Sequence, residues 1–244
     1  MKALIINELE KIIKSKIGYV FLLSAGLLIW MNITMYDPKE GVWNIDSFYT
    51  FPASLLDIYM QILIFFIPIL ANALVTKDLV AGTMKLSILK EPSRIKNLVS
   101  KQIAFTIFCI MATTIFVLLC YLFGILYFKN MSDLSLIRPG FTKASDLIYT
   151  FVTYGKILLP TITYGLLSMS IGLFIENVSL ANIISIVGLI FFFNTSMGEK
   201  FTMIKNVSAN EFNILILASG ILLALFLIIS NIYLEKKDIL YCLL

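Results

Sequence analysis

KDLVAGTMKLSILKEPSRIKNLVSK, residues 77–101, is a basic, Gly- and Pro-punctuated island between two long apolar runs. Leu79, Thr83 and Leu86 recur at helical spacing, and Lys77 and Asp78 open the stretch, so a short amphipathic helix is expected, weakened by Gly82. Pro92 ends that helix. Ser93 can cap a second one, whose apolar face of Ile95, Leu98 and Val99 continues past Lys101 into the next apolar run. The reading is helix, sharp turn, helix at a membrane surface, with Arg94 just after the turn. The plainer reading is a solvated basic loop that marks the cytoplasmic side of a membrane.

Composition explains why membrane lies on both sides. Of 244 residues, 59% are hydrophobic, and the mean hydropathy of +0.94 is far above that of a soluble domain. A spanning helix takes about 20 apolar residues, which leaves room for about six spans and none for a sizeable soluble domain. The fold class expected is therefore an all-α integral membrane protein in one domain, residues 1–244. The absence of His removes the usual general base and the commonest transition-metal ligand. Cys109, Cys120 and Cys242 form no C-x-x-C pair and read as small buried hydrophobes. The net charge of +4 suits an anionic leaflet, and the dispersed basic residues make nucleic acid an improbable partner.

Working outward from the island, residues 53–76 form the second span. Asp57 and Gln61 stand one turn apart near its outer end, and Pro68 and Asn72 kink and polarise its middle. Before it come a Trp- and Phe-bearing outer loop, residues 37–52, and a first span, residues 17–36, with Ser24, Ala25 and Gly26 as a small-residue patch. Residues 1–16 form an amphipathic interfacial helix: Ile5, Leu9, Ile12 and Lys16 share a face turned to lipid, opposite Asn7, Glu10, Lys11 and Lys14. After the island come a third span, residues 102–128, and an outer loop, residues 129–146. The fourth span, residues 147–175, is unusually polar, with Lys156, Pro160, Thr161 and Ser168. Its pairs Thr161 with Gly165 and Ser168 with Gly172 let another helix backbone come close. The fifth and sixth spans fall at residues 180–195 and 214–234.

With both termini inside, the Lys and Arg residues divide roughly two to one in favour of the cytoplasmic side. No G-x-x-x-x-G-K-[ST] loop, Ser/His/Asp set or H-E-x-x-H site occurs, so no enzymatic activity is expected of this chain alone and no metal site is indicated. Tentative pathway residues are Asp57, Gln61, Asn72, Lys156, Thr161 and Ser168. A surface of aromatics with scattered hydroxyls suits an amphipathic substrate better than a hydrated ion.

The spacing of Asp78, Gly82, Thr83, Ser93, Arg94 and Lys101 resembles the signature of ABC-2 type permeases of ATP-binding-cassette transporters. Two departures stand out: Val80 occupies a position where many members carry a second acid, and Pro92 falls one residue late, with Glu91 in its slot. The resemblance covers the whole chain, from entry helix through six spans to a polar outer segment. It implies that the island is a cytoplasmic coupling helix between spans 2 and 3, with Lys77, Asp78, Gly82, Thr83, Leu86, Pro92, Ser93, Arg94 and Lys101 facing a separate ATPase subunit. ATP and Mg would be held by that subunit, with no cofactor on this chain. A second permease subunit, identical or not, would complete the pathway in a bacterial cell membrane. Size and layout look most like the small permeases of lantibiotic- or bacitracin-type peptide immunity and cytolytic-peptide export. The rival classes are a secondary transporter coupling ions through Asp57 and Lys156, and a non-transporting scaffold or sensor.

Overall fold

The computed structural model describes residues 1–34, 51–80, 94–128, 143–175 and 177–193, with positions 220, 221, 224 and 228. Among these residues every regular element is helical: α1 (Lys2–Ile13), α2 (Lys16–Thr34), α3 (Phe51–Ser54), α4 (Leu56–Val80), α5 (Arg94–Phe128), α6 (Lys143–Phe174) and α7 (Val178–Phe193). Among the described residues four segments are long and apolar enough to cross a membrane: Lys16–Thr34, Ile58–Thr76, Lys96–Tyr127 and Leu147–Phe174. The expected fifth span falls on α7, whose 16 residues reach about 24 Å, short of an approximately 30 Å hydrocarbon layer. The expected sixth span lies outside the described residues except at 220, 221, 224 and 228, where Ile221 and Ile228 are exposed.

α4 is the hub. It packs against α6 along its length and also meets α2, α5 and α7. Ile62, Leu63, Ile67, Leu70, Ala71 and Val75 are all buried, so apolar groups surround it on several sides. Pro68, inside the helix, removes one rung of the hydrogen-bond ladder. The first four island residues, through Val80, continue α4 without a break. No residue there stops a helix, so the helix runs on past Thr76, where the apolar segment long enough to cross a membrane ends as expected.

α5 is described from Arg94 and runs 35 residues, about 52 Å; the expected Pro92–Ser93 start signal lies outside the described residues. Leu98 is fully buried on it.

α1 corrects an expectation. Its apolar face is covered by α5 rather than by lipid, with Ile12 fully buried and Ile5 and Leu9 packed against the core. Ile6 and Ile13 stay exposed on a flank. The joint to α2 is tight: Ser15 Oγ donates to Ile12 O at 2.7 Å and accepts from Gly18 N at 3.1 Å. A Cβ on Gly18 would stand 3.1 Å from Ile12 O, so this close approach favours glycine.

α2 buries Gly18, Phe21, Ala25, Ile29 and Asn32, a helical stripe, and Phe21 meets Phe66 edge-on at 5.6 Å. Only Ala25 of the small-residue patch is buried; Gly26 faces open space. The outward faces carry exposed Leu23, Leu118, Leu122 and Phe191. Such apolar area is suited to lipid and not to water.

At the other end of the bundle, Tyr59 stacks on Phe116 at 4.3 Å and bonds Thr113 Oγ1 at 2.7 Å, while Tyr154 donates to Pro52 O at 2.7 Å. Cys109 and Cys120 are buried free thiols, the role expected of them.

Candidate functional site

Two buried polar constellations occur among the described residues. The first lies where α1, α4 and α5 meet. Lys101 of α5 is 1% exposed, and its ammonium donates to Glu8 Oε2 at 2.9 Å, to Leu74 O at 2.8 Å and to Asp78 Oδ2. An ammonium has three N–H donors, and each has an acceptor. Leu74 and Asp78 are four residues apart and so share a face of α4. Glu8 is 4% exposed, and its other oxygen accepts from Lys11 at 2.6 Å. The chain of charges therefore runs from exposed Lys11 inward through Glu8 and Lys101 to partly exposed Asp78, alternating in sign and summing to zero.

A buried ion pair of this kind is weak evidence of added stability. Removing one member is costly, because the remaining charge has no water to return to. The node thus fixes α1, the end of α4 and the start of α5 relative to one another. Its depth follows from α5. Tyr127 pairs edge-on with Trp30 at 6.0 Å, and both are exposed, as in an interfacial aromatic belt. The helix from Lys101 to Tyr127 is about 39 Å long, more than the approximately 30 Å of hydrocarbon. If that pair marks one interface, the node would fall at the headgroup level of the other.

Asp78 and Lys101, at opposite ends of the island's signature, are thereby brought together. Lys77 and Arg94 lie on α4 and α5 with side chains outside the described set, and Gly82, Thr83, Leu86, Pro92 and Ser93 are outside the described residues altogether. Sequence reasoning missed Glu8. The available signal was its place on the same helical face as Ile5 and Ile12: a carboxylate among buried apolar positions requires a cation. By contrast, the Glu10–Lys14 pair on the outer face is fully exposed. It holds the Glu10 carboxyl below, and the Lys14 ammonium above, their ordinary ranges through hydrogen bonding and charge attraction.

The second constellation is a seam between α4, α6 and α7. Asn72, fully buried, donates to Ser185 Oγ at 3.1 Å, and its Oδ1 has no hydrogen-bond partner. Thr76 donates to Gly172 O at 3.0 Å, and Tyr164 donates to Ser185 O at 3.1 Å. A Cβ at Gly172 would lie 2.5 Å from Thr76 Oγ1, and one at Gly165 would lie 2.1 Å from the Phe105 ring. Gly172 makes room for the Thr76 and Asn72 side chains of α4 and Gly165 for the Phe105 ring of α5, so the groups that come close are side chains rather than the helix backbone expected. Of the tentative pathway residues, Asn72, Thr161 and Ser168 are buried in helix packing, with Ser168 bonded to Tyr164 O at 3.1 Å. Lys156 is half-buried on α6. The Asp57 and Gln61 side chains lie outside the described set.

No protein-family model matches this chain, and neither characterised proteins nor solved structures give a match.

Proposed function

We propose that this chain is the permease subunit of an ATP-driven exporter, in which residues 77–94 dock on a separate ATPase subunit that binds ATP and Mg. The observation that carries the reading is the node. Asp78 and Lys101 bracket the island in sequence and are joined by an ion pair at its base, with Glu8 of α1 fastened to the same ammonium. A force on a loop anchored in this way passes into α4 and α5 together, and into α1 through Glu8. This is what coupling a soluble motor to spanning helices requires. In the proposal the chain has six spans with both termini cytoplasmic, pairs with a second permease subunit in a bacterial cell membrane, and contributes no catalytic group itself. The substrate is a hydrophobic or amphipathic peptide, in keeping with spans whose polar groups are hydroxyls and amides rather than charge relays.

Copurification from native membranes is the first test, and a bound ATPase is the expected result; recovery of the chain without one argues for a secondary transporter or a scaffold. Arg94→Glu should uncouple ATP hydrolysis from transport while leaving the protein in the membrane, because a planar cation fork is replaced by a carboxylate at the docking turn. Undiminished transport by that variant removes the docking role. Deletion of the gene should sensitise cells to a membrane-active peptide, or trap one inside. A change confined to sodium or sugar tolerance would rule out a peptide substrate.

A further inference from the structure

α1 has three sides. At about 100° per residue, Glu8 and Ile12 lie on the side buried against α5, with Ile5 packed beside them, and Asn7, Lys11 and Lys14 form an exposed polar side. Between the two, next to Leu9, runs a third side made by Lys2, Ile6 and Ile13. Ile6 is 54% and Ile13 44% exposed. A lone exposed isoleucine on a soluble surface calls for no partner. These two are held at the edge of spanning segments. Glu8 is fastened to Lys101, inside the apolar segment Lys96–Tyr127, and Ile13 stands just before Lys16, where the segment Lys16–Thr34 begins. Ser15 ties that joint together. With α2 and α5 in a bilayer, α1 thus sits where acyl chains meet headgroups.

Charge decides which surface suits the third side. Among residues 1–16, exposed Lys2, Lys14 and Lys16 and the α-amino group stand against one exposed acid, Glu10, while Glu8 and Lys11 are balanced within the node. A neutral surface would gain only the two isoleucines; an anionic one gains the ammonium groups as well. Lys2 shares the isoleucine side, and a lysine stem crosses the acyl boundary while its head stays among phosphates.

We propose that the Lys2–Ile6–Ile13 side of α1 is a docking surface for the anionic lipid leaflet at the α1 end, with the two isoleucines at the acyl boundary and Lys2 among the phosphates. The side that periodicity alone assigns to lipid is the one α5 has taken. The proposal does not rest on the exporter reading, and it requires only that α2 and α5 span lipid.

The test places an environment-sensitive fluorophore on single cysteines of the full chain, in a Cys242→Ser background, in nanodiscs of equal phosphatidylglycerol and phosphatidylcholine. Chain-labelled quencher lipid should quench Ile6→Cys and Ile13→Cys several-fold more than Asn7→Cys and Lys14→Cys, which lie across the helix. At position 6, labelled phosphatidylglycerol should quench more than labelled phosphatidylcholine, and Lys2→Gln should cut that preference by up to about fivefold, the effect of one lysine at an anionic surface. Lys2 is exposed, so its loss leaves the packing of α1 intact. Equal or reversed quenching between the two sides, no preference for phosphatidylglycerol, or a preference unchanged by Lys2→Gln would overturn the proposal. So would a blue-shifted label at position 6 or 13 that no lipid quenches, because the cover there would then be protein.

Discussion

At the node, Lys101 has three donors and three acceptors around it, each on a different residue. At the seam, Asn72 makes one bond across to α7 and leaves its Oδ1 bare. Both sites are buried, so the difference lies in what each can tolerate. A fully engaged charge has one arrangement of low energy, and any displacement of α1, α4 or α5 strands an ion. A half-engaged amide loses little when α7 shifts, because an interhelical hydrogen bond in a membrane averages only about 0.6 kcal/mol. Displacement is therefore expected to cost more at the node than at the Asn72–Ser185 contact of the seam.

The sharpest way to break this contrast is Lys101→Met. It leaves buried Glu8 with only the half-solvated Lys11 pair and Asp78 without its cation, and the expected loss is about 3–5 kcal/mol of stability, read as a lower unfolding temperature in detergent and as faster proteolysis at the α1–α2 joint. If Lys101→Met costs no more than a change at Asn72, the distinction between the two regions fails.

Gly172→Ala comes next. Its Cβ would press on Thr76 Oγ1 and Asn72 Oδ1, and overpacking of this kind costs about 1–3 kcal/mol. Cross-linking between cysteines placed at Asn72 and Ser185 should weaken in that variant as the helices part. Asn72→Leu should shift stability by no more than about 1 kcal/mol in either direction, since it deletes a single bond and an unpartnered acceptor together. A larger loss would mean that the seam is as rigid as the node.

Glu10→Gln should have the smallest effect, detectable only at low ionic strength as slightly faster amide exchange in α1. The sign is fixed by the lowered carboxyl value. The contribution of Glu10 is present above the unfolded-state value and is lost as pH falls through the folded one. Lys14 contributes with the opposite sense: its raised value gives a contribution that is complete below the unfolded-state value and disappears as pH rises through the folded one.

The sequence made α2, α5 and α6 legible because their apolar runs exceed the length of any soluble core helix and break signals flank them. It made Asp78 and Lys101 legible as a pair of interest, though not as a contact. What could not be read was pairing across long separations. Asn72 with Ser185 and Thr76 with Gly172 depend on which helices become neighbours, and periodicity within one helix carries no such information. The fate of α1 was misread for a related reason. An amphipathic face is equally satisfied by lipid and by another helix, and only the acid at Glu8, inside the apolar stripe, favoured the latter.

The Glu8–Lys101 pair also has a bearing on biogenesis. Its partners are 93 residues apart, so at roughly 5–20 residues per second the carboxylate has only Lys11 for on the order of 5–20 s before the Lys101 ammonium is synthesised. During that interval the apolar face of α1 can be covered only by lipid, and α2 enters the bilayer before α1 is fastened to α5. Fastening of the N-terminus is therefore a late event that requires α5 to be in place, and a nascent chain truncated before Lys101 should expose a half-apolar helix, with Glu8 paired only to Lys11, to the proteases that clear incomplete membrane proteins.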